Sequence, residues 1–445
     1  MPGRSREVQL AVQPDGLPKP EHFAVVEAPM PVPGDGEVLV RNRFFHVSPA
    51  LRTLIGGSVK GAPFPRLRPG DTLYGKAIAE VMSAPPDAGV QPGDLVQPWL
   101  GWREYAAVPA GQWSPLDDAL PDPAAHLGQA AIAYTALTRD ARLRPGDTVF
   151  VSGGAGGIGS LAGQIARALG AGRVIGSTGS PDKAKRLVTE LGYDAAVLRR
   201  TPALGTTDAH PETNAHDETN PLAATDARPV TDALAATDTQ HEPDALAATD
   251  TQHEPDALAA TDTQHEPDAL AATDAHAGTD ALAATDTHRG TGALAGADAH
   301  REAVVPGGTD PFVDQLAKAA PDGIDVLVDN VGGEQLQAAI AVARPGARFA
   351  IVGTLAGQLS PDLAGATAPV EIDTFQLIVK GIEIRGFGSS AEDAAGPEWT
   401  ERFGGWLRSG EITFPHVRVA GIENAPRALH EMIGGRHLGT VIVEL

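Results

Sequence analysis

Two rhythms of apolar and polar residues divide the chain. Up to about Leu143 the apolar positions come in short runs broken by Pro and Gly. Glu37-Val38-Leu39-Val40-Arg41 alternates after the turn Pro33-Gly34-Asp35-Gly36, which predicts a half-buried strand. Arg68-Pro69-Gly70-Asp71 precedes a second candidate strand from Thr72 to Val81, and Gln91-Pro92-Gly93-Asp94 leads into Leu95-Val96. This punctuation predicts a small, mostly β domain.

The period changes after Arg144-Pro145-Gly146-Asp147. Thr148-Val149-Phe150-Val151 reads as a buried strand, followed by glycines and then a helical spacing around Ile165 and Leu169. Arg173 to Gly176 is the next strand. Pro181 to Leu191 is a helix with Ser180 as N-cap and Pro181 at its first position. Beyond position 304, Pro311 to Ala320 is helical, Ile324 to Asp329 a strand, Glu334 to Val342 a helix and Arg348 to Val352 a strand. Gly381 to Phe387 adds one more, and Gly439 to Val443 is a strand returning to the first domain. Strand and helix alternate, which predicts an α/β fold with a parallel sheet.

Between these halves lies a tandem repeat. Asp-Ala-Leu-Ala-Ala-Thr-Asp-Thr-Gln-His-Glu-Pro begins at Asp232, Asp244 and Asp256 and decays from Asp268. The period of twelve matches no common helical solenoid. One Leu per repeat cannot bury a core, and acidic, Pro-punctuated sequence favours disorder. Residues 201–304 are therefore expected to be a disordered acidic repeat insertion between two strands of the parallel sheet. The repeat histidines, such as His241, His253 and His265, have no second ligand type fixed beside them, so no metal site is expected there.

Composition sharpens this picture at three points. The 445 residues allow about two or three domains. Residues 201–300 carry −17 of the net charge of −23, so the acidity describes the insertion and not the folded part. No clustered Lys and Arg invites nucleic acid. There is no cysteine, which excludes disulfides and a thiolate-held zinc; no compact His and carboxylate motif replaces it, so no metal is expected. No run reaches the ~18–20 apolar residues of a membrane helix, and no apolar stretch follows Met1 to Arg6 as in a secretory signal. The default expectation is cytoplasmic.

The chemistry-bearing motif is Gly154-Ala155-Gly156-Gly157-Ile158-Gly159, a GxGxxG between a strand and a helix. That context predicts a dinucleotide loop: glycines for the tight turn, for close approach to pyrophosphate and for helix–strand packing. A Gly-rich turn that only permits packing is the alternative. About 20 residues on, an NAD enzyme places an acid for the ribose 2′-hydroxyl. Here Gly176-Ser177-Thr178-Gly179-Ser180 has none, and Lys183 follows, suited to the 2′-phosphate of NADPH; otherwise Lys183 is a solvated lysine.

Val149 to Lys183, with Leu191-Gly192-Tyr193-Asp194 and Asp329-Asn330-Val331-Gly332-Gly333, resembles the zinc-independent prostaglandin reductase and leukotriene B4 dehydrogenase branch of the medium-chain dehydrogenase/reductase superfamily, which includes NADPH-dependent alkenal double-bond reductases. Glu37 to Val40 and Ala133-Tyr134-Thr135-Ala136-Leu137 extend the resemblance into the first domain. It implies a GroES-like β domain plus a Rossmann doubly wound parallel sheet, with substrate in the cleft between them. The expected division is 1–143 GroES-like, 144–200 and 305–390 Rossmann, and 391–445 returning to the GroES-like domain.

By resemblance, Gly156, Gly157, Ile158 and Gly159 hold the pyrophosphate and Lys183 the 2′-phosphate, with Arg199 standing where relatives have a tyrosine. Asn330, Gly353 and Thr354 lie along ribose and nicotinamide, Phe387 and Gly388 line the cofactor, and His437 opens the counterpart of a family Asn-x-Gly-Lys. Asn330 also reads as a cap for the turn after a strand. Tyr134 is the candidate catalytic hydroxyl and, alternatively, a core tyrosine. Ser48-Pro49-Ala50 departs from the family's Asp-Pro-Tyr, as do Gln358 and Val379 from tyrosines, so the substrate is open.

The implied activity is NADPH-dependent reduction of the carbon–carbon double bond of α,β-unsaturated ketones or aldehydes, by hydride to the β-carbon and a proton to the α-carbon. Quinone reduction is a neighbouring alternative. A non-catalytic NADPH-binding scaffold is the alternative from another class. A homodimer is usual for this family. Loop closure costs only ~0.6 kcal/mol per doubling of length. Replacing residues 202–303 by a short Gly/Ser linker is therefore expected to leave the melting temperature and turnover near those of the full chain. A collapse of either would show that the repeat packs on the folded part.

Overall fold

The computed structural model describes residues 3–56, 65–199, 310–361, 365, 367–388, 395 and 399–445. The expected disordered insertion, 201–304, lies outside the described residues. The N-terminal half is built of β1 (Arg4–Leu10), β2 (Phe23–Pro29), β3 (Glu37–Val47), the short helix α1 (Ala50–Gly56), β4 (Ala77–Ser83), β5 (Leu95–Pro98), β6 (Tyr105–Pro109) and β7 (Trp113–Pro115). Helix α2 (Ala130–Thr135) then leads into the second half.

There the chain runs β8 (Thr148–Val151), α3 (Gly159–Ala168), β9 (Arg173–Thr178), α4 (Pro181–Glu190), β10 (Ala195–Leu198), α5 (Pro311–Ala319), β11 (Ile324–Asp329), α6 (Gly333–Val342), β12 (Ala343–Ile351), α7 (Leu355–Gln358), α8 (Thr374–Lys380) and β13 (Glu383–Gly386). It closes with α9 (Trp399–Ser409), β14 (His416–Ala420), α10 (Ala425–Ile433) and β15 (Thr440–Glu444).

The second half forms a six-stranded sheet in the order β10-β9-β8-β11-β12-β13, with every pairing parallel. This is the doubly wound dinucleotide-binding order, and it reverses between β8 and β11. Strand β11 is buried along almost its whole length, as expected of a parallel strand covered on both faces. One core packs α2, α3 and α9 residues such as Ala133, Leu161, Ile165 and Phe403 on one side; another gathers Phe150, Phe312, Leu316, Leu336 and Phe349 on the other. A buried ion pair, Arg348 Nη2 to Asp147 Oδ2 at 2.6 Å, ties the turn before β8 to β12.

The sheets of the first half are antiparallel except for one pair, β14 with β15, which is parallel. The seven-stranded sheet runs β14-β15-β3-β4-β5-β7, with β6 also on β3. The last strand of the chain therefore completes the first sheet: β15 pairs antiparallel with β3, Val443 opposite Phe45.

Two features differ from the expectation. The strand expected from Thr72 begins only at Ala77, because residues before it divide their bonds: Leu73 N donates to Val8 O, Gly75 N to Trp99 O, and Lys76 O accepts from His46 N. No single neighbour gives them a ladder. Strands β1 and β2 were not anticipated, since the alternation of β1 is carried by charged residues, Arg4, Arg6 and Glu7, around Ser5, Val8 and Leu10.

Local order around the glycine turn depends on one ring. Tyr193 is fully buried and its hydroxyl donates to Gly159 O at 2.6 Å. A Cβ on Gly176 would stand 2.7 Å from that ring, and one on Gly163 would fall inside it. Gly163→Ala is therefore expected to destabilise the protein by about 1–3 kcal/mol through overpacking. Tyr193→Phe, which keeps the shape and loses one bond, should cost about 1 kcal/mol. Urea unfolding reads both, and an unchanged midpoint for Gly163→Ala would show that the ring has room to retreat.

Candidate cofactor cleft and active site

The glycine turn leaves β8 and enters α3 at the carboxyl ends of the strands. Gly153 takes a left-handed φ of +63°. Its N–H donates to Ser177 Oγ at 2.8 Å, and Gly154 N donates to Ser177 O at 2.8 Å. The Ser177 side chain is buried and passes a hydrogen bond on to Gln335 Oε1. Helix α3 then starts in backbone contact with the turn: a Cβ on Gly159 would overlap Gly153 O and lie 2.7 Å from Gly154 Cα.

Gly156 differs from these packing glycines. It is exposed, and a Cβ there would meet only Gly153 O at 3.4 Å. Its openness leaves the backbone approachable, as a pyrophosphate requires, at the N-terminal end of α3, where the helix dipole favours an anion. Gly157 faces Gln129 Oε1, 2.6 Å from a built Cβ, and Ile158 is half-buried.

At the far end of the turn, positive charge collects. Ser180 caps α4, accepting from Lys183 N. The Lys183 ammonium donates to Gly435 O and, at 2.6 Å, to His437 O. Burial, with Arg199 and Arg186 nearby, pushes Lys183 down to about 8. Arg199 is half-buried, its N–H donates to Thr178 O, and no carboxylate among the described residues pairs with its guanidinium. His437 Nε2 lies 3.2 Å from Glu431 Oε2, within ion-pair range but not aligned for a hydrogen bond. Thus Lys183, Arg199 and the His437 segment, far apart in sequence, meet at one place.

The third group sits where the strand order reverses. Ser152, the residue after β8, donates its Oγ to Asp329 Oδ1 at 2.5 Å and accepts from Asn330 N at 2.8 Å. Asp329 Oδ1 also accepts from Val331 N and Gly332 N, both at 3.0 Å. Burial raises the Asp329 carboxyl, against these bonds, which lower it. Asn330 donates Nδ2 to Ser152 O at 2.8 Å, but its Oδ1 is buried without a partner among the described residues, as is Asp329 Oδ2. Gly353 has no room for a side chain, since a Cβ would lie 2.8 Å from Asn330 O. Thr354 follows and caps α7, its carbonyl taking Gln358 N at 2.9 Å. Phe387 N donates to Ile351 O at 2.8 Å, and Gly388 next to it is open.

Tyr134 lies half-buried on α2. Its oxygen accepts from Arg402 Nη1 at 2.7 Å, and its ring stacks on Trp399 at 4.6 Å. Nothing in the sequence links Tyr134 to Arg402, or Asn330 to the Ser152–Asp329 bond that holds its turn. Ser152 directly precedes the glycine run, which is the one signal that marked it. Among the described residues no three His, Asp or Glu side chains are grouped to hold a metal ion.

Two family models match the chain: an N-terminal domain of oxidoreductase over residues 6–116 and a zinc-binding dehydrogenase over 278–401. The chain is 36% identical over 207 residues to a putative NADP-dependent oxidoreductase, YfmJ, of Bacillus subtilis, covering 45% of this chain and 59% of that protein. It is 30% identical over 200 residues to the NADP(+)-dependent 2-alkenal reductase of Nicotiana tabacum, covering 43% of this chain and 57% of that protein. These matches span less than two thirds of the relatives' length. In fold, the chain resembles CurA from Vibrio vulnificus solved with NADPH, at a TM-score of 0.66 and 21% identity, over 99% of this chain and 98% of that one. With both family models in place and a doubly wound sheet between the ends of an antiparallel domain, the chain belongs to the medium-chain dehydrogenase/reductase superfamily.

Proposed function

We propose that the protein is an NADPH-dependent oxidoreductase that reduces the carbon–carbon double bond of α,β-unsaturated ketones or aldehydes, in the cytoplasm and as a homodimer. The observation that carries this reading is the joint presence of an open Gly156, a Lys183–Arg199 cationic cluster and the unpartnered Asn330 Oδ1 beyond the carboxyl ends of the strands. These fit, in order, a pyrophosphate, a 2′-phosphate and the polar groups near a nicotinamide. The relatives named for alkenal reduction and for NADP dependence support the substrate class and the cofactor.

NADPH, when bound, supplies the hydride that a conjugated double bond accepts at its β-carbon. The chain's own residues do the rest. Gly156 to Gly159 receive the pyrophosphate, and Lys183 and Arg199 neutralise the 2′-phosphate, with His437 beside them. Asn330, Gly353 and Thr354 line the ribose and nicotinamide, the first through its buried carbonyl oxygen. Phe387 and Gly388 close the far wall. Tyr134 is assigned to polarise the substrate oxygen or hand on a proton: its oxygen accepts from Arg402, which leaves its own hydrogen free to donate. A panel of enones, enals and quinones, followed by NADPH oxidation, tests the activity; turnover of quinones alone would replace it.

Cofactor choice gives a sharper test. A charge-assisted contact is worth roughly 1.5–3 kcal/mol. Lys183→Ala should therefore weaken NADPH about ten- to hundred-fold and leave NADH almost unchanged. Because Lys183 stands at about 8, its charge is complete below that pH and is lost above it. The preference for NADPH over NADH should fall as pH rises past about 8, and Lys183→Ala should flatten the profile. Equal loss of both cofactors in the variant would make Lys183 a structural residue.

A further inference from the structure

We propose that a small cavity between the seven-stranded sheet and α9 receives the carbonyl end of the substrate, and that Lys76 is the catalytic residue that holds its oxygen. This rests on the enone-reductase reading and names the group that meets the reacting carbonyl. The cavity has a volume of about 140 Å³. A hole of about 150 Å³ admits a benzene ring, so this one suits a single ring or a short chain.

Its place is fixed by α2. Gly128, Ala130 and Ala131 line the cavity. Gln129, between the first two, lies against the glycine turn, its Oε1 2.6 Å from where a Cβ on Gly157 would stand. The cavity and the pyrophosphate turn therefore flank the same residue, and a molecule in the cavity is a neighbour of the cofactor cleft. Alanine at 130 and 131 leaves the space open. Trp399 and Phe403, their rings stacked at 5.3 Å, form its apolar wall.

The strand pattern brings one cation to this place. Ile78 of β4 packs with Ala124 and Leu127, and Leu95 of β5 joins that cluster. Successive side chains in a strand alternate between faces. Lys76, two residues before Ile78, and Gln97, two residues after Leu95, therefore reach the face that carries the cluster, and both line the cavity. The carbonyl of Lys76 accepts from His46 N at 3.0 Å, and its ammonium stands 5.6 Å from the centre of the Trp99 ring. His46 is buried and neutral, pushed down to about 4 by burial and then by the Lys76 charge. His126, on the cavity wall, is lowered by burial, against the pull of Asp117. Of these basic side chains, Lys76 is the one that carries charge.

Reduction of an enone calls for a cation at the oxygen. A hydride from reduced nicotinamide forms a C–H bond at the β-carbon. The double-bond pair moves between the α-carbon and the carbonyl carbon, and the carbonyl pair moves onto oxygen. An ammonium already in place stabilises that new charge without reorganisation. A proton then adds to the α-carbon and the C=O bond re-forms, with the nicotinamide left oxidised. Lys76 donates to the oxygen and keeps its own proton, which leaves Tyr134 the second of its two tasks.

Two probes of one ring separate charge from shape. The oxygen of 4-nitrophenolate bears charge as an enolate does, and nitrobenzene lacks that oxygen. By equilibrium dialysis, at a pH that ionises 4-nitrophenol, the full chain should bind the phenolate at least tenfold tighter than nitrobenzene. Lys76→Met should abolish that preference and leave nitrobenzene binding unchanged. It should also lower kcat for an enone about 100-fold or more, with the Kd for NADPH unmoved, and Lys76→Arg should recover part of the loss. Circular dichroism shows whether the Met variant is folded; if it is not, Lys76→Gln takes its place, and the probe comparison on the unaltered chain stands in any case. Equal binding of the two probes, a preference that survives the loss of Lys76, or an unchanged kcat would overturn the assignment. A preference that depends on Lys76 in a chain that reduces no enone would overturn the enone reading and leave the oxyanion site.

Discussion

The closeness of α3 to the ends of β8 and β9 is the constraint on which the cleft depends. Helix and strand can meet at backbone distance only where side chains are missing, and here they are missing at Gly154, Gly159, Gly163 and Gly176. The space so created is not left empty. Tyr193 fills it with its ring, and its hydroxyl satisfies Gly159 O, a carbonyl in the first turn of α3. A buried phenol held in this way is strongly disfavoured as an anion, because burial penalises the charge. It therefore stays neutral, and the helix start keeps its positive end unopposed by any phenolate. Packing and electrostatics at the turn are thus set by the same residue.

This explains why part of the site was legible in the sequence and part was not. The parallel sheet followed from the runs Thr148–Val151 and Ile324–Asp329, which are apolar enough to be buried on both faces. Ser180 and Pro181 announced the start of α4 because capping is a local interaction, and the side chain does accept from Lys183 N. In contrast, the Ser152–Asp329 bond joins residues 177 positions apart. No spacing rule reports such a contact. The same holds for the contact made by Gln164, a polar residue within an apolar helix. Its amide accepts from Thr413 N at 2.8 Å and donates to Thr413 O at 3.1 Å, which fastens the C-terminal segment to α3. The tandem repeat conveyed composition only; along the chain it falls between β10 and α5.

The cationic corner is set by burial as much as by charge. Lys183 has lost part of its hydration and faces two guanidinium groups, so its ammonium is held by the carbonyls of Gly435 and His437 and by no carboxylate. Those carbonyls carry only partial charge. They satisfy the donors of the ammonium without neutralising it, which leaves the corner with a net positive field. A phosphate dianion entering there would meet Lys183 and Arg199, which pair with no carboxylate among the described residues, and a charge-assisted bond is roughly twice as strong as a neutral one. The exchange from carbonyl to phosphate is favourable for that reason, even though the lysine gives up two existing bonds.

The turn that lends those carbonyls is itself joined to both sheets. Four residues beyond Gly435, Gly439 N donates to Ala155 O at 2.9 Å, within the glycine turn. Thr440 then opens β15, which pairs with β3 of the first sheet. Gly439 has a φ of +83°, and a Cβ there would collide with the backbone of Pro415, so no other residue makes this bend without moving β14. A lysine on α4, a glycine turn after β8 and the central strand of the other sheet are therefore linked through one segment of six residues. That linkage is physical and short, and it ties the lysine assigned to the 2′-phosphate and the turn assigned to the pyrophosphate to one segment. Beyond Gly439 the chain is held on both sides, by β14 and by β3, whereas Gly435, at a φ of +67°, has open space around it.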